Sequence, residues 1–157
     1  MRRKDREITD QAVMLEAVRE CDCVRIGLID EDGLAYMVPV NFGHTVENGS
    51  LVIYFHGAGE GKKIDLIRKQ PSVSFEMDCG HELKPQETGC GYSFAFKSIM
   101  GKGDISILED LNLKKEAFKA IFAQYTDRKD IQFNDEAIKA TAVFRLKVTE
   151  WSCKFHE

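Results

Sequence analysis

Glycines at positions 57, 59 and 61, followed at once by Lys62 and Lys63, are the strongest chemical signal in the chain. A strand-like run ends at His56, the glycines let a ligand approach the backbone, and residues 62–69 read as a short helix closed by Gln70-Pro71. The start of a helix offers unpaired N–H groups and a partial positive charge. Two lysines add full charges, so the combination suits a phosphate. It is not a Walker loop, which needs serine or threonine directly after its lysine, nor a dinucleotide fingerprint despite the even glycine spacing. A flexible turn before a helix with exposed lysines is the other reading of the same residues.

His56 stands beside this corner and can share a proton near neutral pH, which makes it the candidate catalytic group. Its alternative role is a simple hydrogen bond to a ligand or a cap on the strand end. Cys79, His81 and Cys90 bring thiolate and imidazole together, but structural zinc takes four ligands at tighter paired spacing and no fourth is evident. No metal site is expected there. The five cysteines are an odd number in a chain large enough to need no staples, which points to reduced thiols.

The elements that must position these residues are mostly strands. A first helix follows Thr9 as its N-cap and carries Met14, Leu15 and Val18 at helical spacing to Cys21. From Cys23 the period becomes two, with Val24, Ile26 and Leu28 on one face, until Asp30-Glu31-Asp32-Gly33 supplies hairpin chemistry. The returning strand, 34–42, contains Pro39, which cannot donate to a ladder and must sit at an edge, a bulge or an opening in the sheet. Residues 43–49 read as a turn. In the next strand Leu51, Ile53 and Phe55 alternate with Val52, Tyr54 and His56. A one-sided strand over 72–78 leads into a polar crossing over 79–91. Tyr92, Phe94, Phe96, Ser98 and Met100 then share one face of a strand ending at Gly101-Lys102-Gly103, a face assigned to core or to a subunit contact. Asn112 can cap an amphipathic helix whose buried stripe is Ala117, Phe118, Ile121, Phe122 and Tyr125. Lys114-Lys115 and Arg128-Lys129 beside it read as solvated charge. A short helix follows Asn134, and the last strand places Ala142, Phe144, Leu146 and Val148 on one face before Trp151. The pattern predicts a mainly β, α+β chain: an antiparallel barrel with flanking helices.

At 157 residues the expectation is one domain spanning 1–157. With 43% apolar and 31% charged residues the chain is expected to fold. A net charge of -4 gives no general attraction to nucleic acid or anionic lipid, and no basic stripe interleaves the aromatic residues. No apolar run has the length of a membrane span, and the polar start suggests no leader, so a cytoplasmic address is expected.

The succession Tyr36-Met37-Val38-Pro39-Val40-Asn41, Tyr54-Phe55-His56-Gly57, Gly61-Lys62-Lys63, Leu66, Gln70-Pro71 and the strand ending at Asp78 resembles the pyridoxamine-phosphate-oxidase-like flavin split barrel. Within it the chain most resembles the nitroimidazole-resistance branch, from about Cys23 to Gly103. That resemblance implies an antiparallel split β-barrel of the FMN-binding type, forming a homodimer with FMN at the subunit contact. It implies that Met37, Val38, Pro39, Val40 and Asn41 line the isoalloxazine and that Phe55 and His56 lie near the ring or ribityl chain. Lys62 and Lys63 would hold the phosphate, and Ser98 would fill a polar position near the flavin. His56 resembles the active-site histidine of that branch. Tyr36 and Asn41 stand where true pyridoxamine-phosphate oxidases carry basic residues, and the segment from Trp151 to the C-terminus lacks their Arg/His substrate motif. Lys62 replaces a common arginine, a point charge in place of a bidentate fork. The implied function is an FMN-dependent oxidoreductase passing electrons to a small organic acceptor such as a nitroaromatic. NADH or NADPH would be the donor, although the chain has no recognisable nicotinamide motif. The alternative is a non-enzymatic flavin- or haem-binding split barrel, with His44, His56, His81 or His156 as an axial ligand.

Overall fold

The computed structural model describes residues 3–156. In chain order its elements are β1 (Glu7–Ile8), α1 (Gln11–Glu20), β2 (Val24–Ile29), β3 (Ala35–Val40), β4 (Phe42–Glu47), β5 (Ser50–Gly57) and α2 (Lys62–Lys69). These are followed by β6 (Ser72–Lys84), β7 (Ser93–Leu108), α3 (Leu111–Tyr125), α4 (Asp135–Ala140) and β8 (Ala142–His156). The β2–β3 hairpin closes as its turn residues predict: the Gly33 N–H donates to the Asp30 carbonyl at 3.0 Å, with Gly33 at φ 75°.

The main sheet runs in the order β3-β2-β6-β7-β8-β5-β4, every pairing antiparallel, and β1 adds to β8. Its two end strands, β3 and β4, are separated in sequence by Asn41 alone. Ends so joined must lie side by side, so the sheet curls on itself, and no ladder joins the two among the described residues. The result is a barrel split between β3 and β4. Pro39 lies on the edge strand, where its missing donor breaks no ladder on the open side. Inside are Ile26, Phe42, Leu51, Ile53, Phe55, Met77, Ile99, Phe144 and Leu146, all at most 1% exposed.

Several sequence expectations are corrected. Residues 43–49 are not a turn: β4 occupies them up to Glu47, and the reversal is confined to Asn48 and Gly49, both at positive φ. Gly43 marks a close approach instead, since a Cβ there would collide with the α3 backbone at Ala120 and Ile121. The crossing over 79–91 begins only after Lys84, and β7 continues through Gly101 and Gly103 to Leu108. Those glycines mark strand contacts: side chains there would strike Phe75 and the carbonyls of Glu150 and Lys147. On β7 the buried apolar residues are Ala95, Ile99, Ile105 and Leu108, whereas Phe94 and Met100, and Tyr92 just before the strand, are exposed, which removes the core half of their expected role.

The helix caps move too. Asp10 caps α1, accepting from the amides of Ala12 and Val13, and Asp110 caps α3, accepting from Asn112 and Leu113. In α3 the buried residues are Lys114, Ala117 and Ile121, while Phe122 and Tyr125 are exposed. Lys114 is not solvated charge: its Nζ donates to the carbonyls of Lys139 and Thr141 at 3.3 and 2.9 Å, tying α3 to the end of α4. Gln124 and Tyr125 are polar ties. Gln124 Nε2 donates to the carbonyls of Val18, Arg19 and Cys21, and the Tyr125 hydroxyl accepts from the Phe42 amide and donates to the Asp22 carbonyl. Among the described residues no helix is long and apolar enough to cross a membrane.

Candidate functional site

Strand β5 delivers His56 and Gly57 to the barrel rim, and α2 starts a few residues later. Gly61, the N-cap of α2, has φ 110° and ψ 172°, a conformation open essentially only to glycine. The first intrahelical bonds are donated by Ile64 and Asp65 to the Gly61 carbonyl, at 2.9 and 3.2 Å. The amides of Lys62 and Lys63 precede them and face outward from the helix start. Sequence and backbone therefore agree on a positively polarised corner.

The two lysines have different surroundings. Lys62 is exposed, bonds the Asp30 carboxylate, and sits 4.8 Å from the centroid of the Tyr36 ring. That bond holds the Asp30 carboxyl below its usual range and raises Lys62. Lys63 is half-buried, with Nζ 5.4 Å from the Phe144 ring centroid, in the space a side chain at Gly57 would need. It makes no ion pair among the described residues, and burial pushes its ammonium below the usual lysine range. His56 is exposed at its edge but lies against Phe118, ring centroids 5.2 Å apart. Desolvation first, and the Lys63 charge second, lower its pKa, so the imidazole is neutral at neutral pH. Lys63, His56 and Gly57 thus form one group, and Lys62 belongs to the β2–β3 hairpin.

The remaining expected residues are distributed along the barrel wall. Met37 and Pro39 face outward, Val38 and Val40 are half-buried toward the core, and Asn41 is exposed with Nδ2 3.4 Å from the Asp22 carbonyl. Phe55 is fully buried and stacks on Phe144, centroids 4.8 Å apart at 13°. Its side chain is core, so the expected flavin contact narrows to its backbone. Ser98 is half-buried on β7 between Asp78 on β6 and Lys154 on β8. Strands β2 and β6 separate it from β3, a gap of roughly 14 Å at ordinary inter-strand spacing. One protomer does not bring Ser98 against Pro39 or Lys63.

The outward face between these points holds a cluster that the sequence did not disclose. Arg25, the register partner of Pro39, bonds Glu76 and Asp78 at 2.9 and 2.5 Å, and Asp78 also reaches His81 at 3.0 Å. A groove of about 330 Å³ lies on the same side, lined in part by Gly27, Ser74, Lys102 and Thr149. Only sheet register joins residues so far apart in sequence; alternation on β2 and β6 is the one trace of it. Phe118 was likewise legible only as helix packing, because its contact with His56 depends on how α3 docks. Cys79 lies not beside Cys90 but beside the Cys21 thiol, under α1. Among the described residues no group of three His, Cys, Asp or Glu side chains is arranged to hold a metal ion.

A model of the family described as pyridoxamine 5'-phosphate oxidase matches residues 10–155. No curated protein matches the chain. Among solved structures, a candidate 5-nitroimidazole antibiotic resistance protein from Bacteroides thetaiotaomicron VPI-5482 superimposes with a TM-score of 0.83 at 29% identity, covering 95% of this chain and 86% of that one. The flavocytochrome Anf3 from Azotobacter vinelandii has a TM-score of 0.81 at 19% identity, covering 100% of this chain and 72% of its own. The FAD and heme binding protein from Mycobacterium smegmatis gives 0.82 at 14% identity, covering 97% and 74%. The last two show the shared fold.

Proposed function

Because the chain belongs to the pyridoxamine 5'-phosphate oxidase family, we propose that it binds FMN and acts as an oxidoreductase on a small organic acceptor such as a nitroaromatic. The observation carrying this reading is Lys63: a half-buried cation without an acidic partner among the described residues, at the start of a helix and beside a neutral histidine. Burying a charge without a counter-charge is costly, and a phosphate would supply one.

The residues present fit such a group. Lys63 and the outward amides at the start of α2 would hold the phosphate, with Gly61 giving the backbone its approach. Asp30 and Tyr36 hold Lys62 at the edge of the same corner. The exposed edge of β3, Met37 to Asn41, would offer backbone groups to the ring. Bound FMN supplies the electron chemistry, which needs no protein nucleophile. His56, neutral and open on one side, would contact ring or substrate and can accept a proton. We further infer a homodimer, because Ser98 and β3 line one outward face at a separation a single protomer does not close. NADH or NADPH is the donor consistent with this reading.

The test is titration of the cofactor-free protein with FMN, followed by flavin fluorescence, for the wild type and for Lys63→Met. Loss of a charged hydrogen bond should weaken binding about tenfold or more, or roughly 1.4 kcal/mol. Equal affinity in the two proteins would remove Lys63 from the phosphate site. The visible spectrum of the purified protein separates flavin from haem, and anaerobic NADPH should bleach only a competent flavin enzyme.

A further inference from the structure

Away from this corner, the segment 126–133 passes over the C-terminal half of α3 and leaves a cavity of about 540 Å³ between itself and the helix. That is within the size range of small-molecule sites. Its apolar wall is Phe122, Ile131 and Phe133, and Lys119, Arg128 and Lys129 stand around it with Asp127 as the one carboxylate. The Phe122 and Phe133 rings are in tilted contact, 5.7 Å apart at 49°, and Phe122 is still left 38% exposed. A residue on the stripe that periodicity assigns to packing instead offers an aromatic face to an open cavity. Lys119 is engaged by Glu116 and Arg128 by Asp130, both exposed pairs that a stronger anion can replace. Lys129 has no ion pair among the described residues.

We propose that this cavity binds an adenine nucleotide. The base stacks on the exposed face of Phe122 and meets the inclined Phe133 ring at its edge, its exocyclic amine faces the Asp127 carboxylate, and the phosphate meets Lys129 and Arg128. Stacking supplies the flat, apolar part of recognition, and the surrounding cations supply the anionic part. The cavity is also joined to the first site. Phe133 lies 5.9 Å from Phe118, which lies 5.2 Å from His56, so a continuous aromatic wall runs between them. An adenine nucleotide placed here is therefore either free or one half of a dinucleotide whose redox ring reaches His56. Only the dinucleotide form rests on the flavin reading.

Calorimetric titration of the full chain with ADP, FMN, FAD and NADPH tests the assignment, using the wild type, Phe133→Ala and the exposed charge reversal Lys129→Glu. Near-ultraviolet circular dichroism checks that the variants keep the fold. The wild type should bind ADP, and each substitution should weaken ADP at least tenfold while leaving FMN affinity unchanged. FAD binding more tightly than FMN in the wild type but not in Phe133→Ala would identify the nucleotide as part of the flavin. The same behaviour for NADPH would identify it as part of the donor. Absence of ADP binding, or ADP binding equally by all three proteins, overturns the proposal. If ADP binds and FMN does not, the cavity assignment stands and the flavin reading fails.

Discussion

Lys62 and Lys63 are adjacent in sequence and opposite in circumstance, and the difference predicts which one matters to a ligand. Lys62 already has Asp30, so Lys62→Met should weaken FMN less than Lys63→Met does; equal losses in the same fluorescence titration would contradict that ranking. Protonation gives a second prediction. His44 and His56 both have lowered pKa values, chiefly because burial disfavours the charged imidazole. The unfolded chain, with histidine near pKa 6.5, then takes up protons before the native state does. Stability should be complete above about pH 6.5 and should decline as pH falls below it toward the native values. Urea midpoints measured between pH 7.5 and 5 should show this decline, in a range where the carboxylates are still ionised. A flat profile would mean that neither histidine is desolvated as described.

The elements are held together by a few polar ties and close approaches rather than by apolar stripes alone. Gly43 lets β4 touch the α3 backbone, so Gly43→Ala must push the helix off the sheet. Overpacking of this kind costs roughly 1–3 kcal/mol, occasionally more, and chemical denaturation should show a loss of that size. Lys114→Met should also destabilise, by about 1–3 kcal/mol, because it leaves the Lys139 and Thr141 carbonyls without their donor. A stability equal to wild type would show that water replaces the ammonium. At both positions local pattern points elsewhere: glycine within 43–49 suggests a turn, and a lysine pair on an amphipathic helix suggests solvent. Period and propensity report the face of one element, and neither reports what a second element places against it.

For the whole molecule, the exposed apolar residues of the outward face, Met37, Phe94 and Met100 among them, belong to the surface through which the proposed dimer would form. Met100, 61% exposed on a long central strand, is the point at which to test it. Met100→Asp should convert a dimer to a monomer in sedimentation and lower FMN retention with it; a wild-type monomer that holds FMN would overturn the dimer. The sequence by itself determined the alternation of Val24 to Leu28 and of Leu51 to His56, the Asp30–Gly33 hairpin and the cationic start of α2. Each follows from interactions among residues close in the chain. Tertiary structure alone decided that Lys63 joins His56 while Lys62 joins Asp30, that Phe55 is core, and that Phe122 faces a cavity. Those outcomes depend on how strands far apart in sequence register and how α3 docks on them, and local pattern carries no record of either.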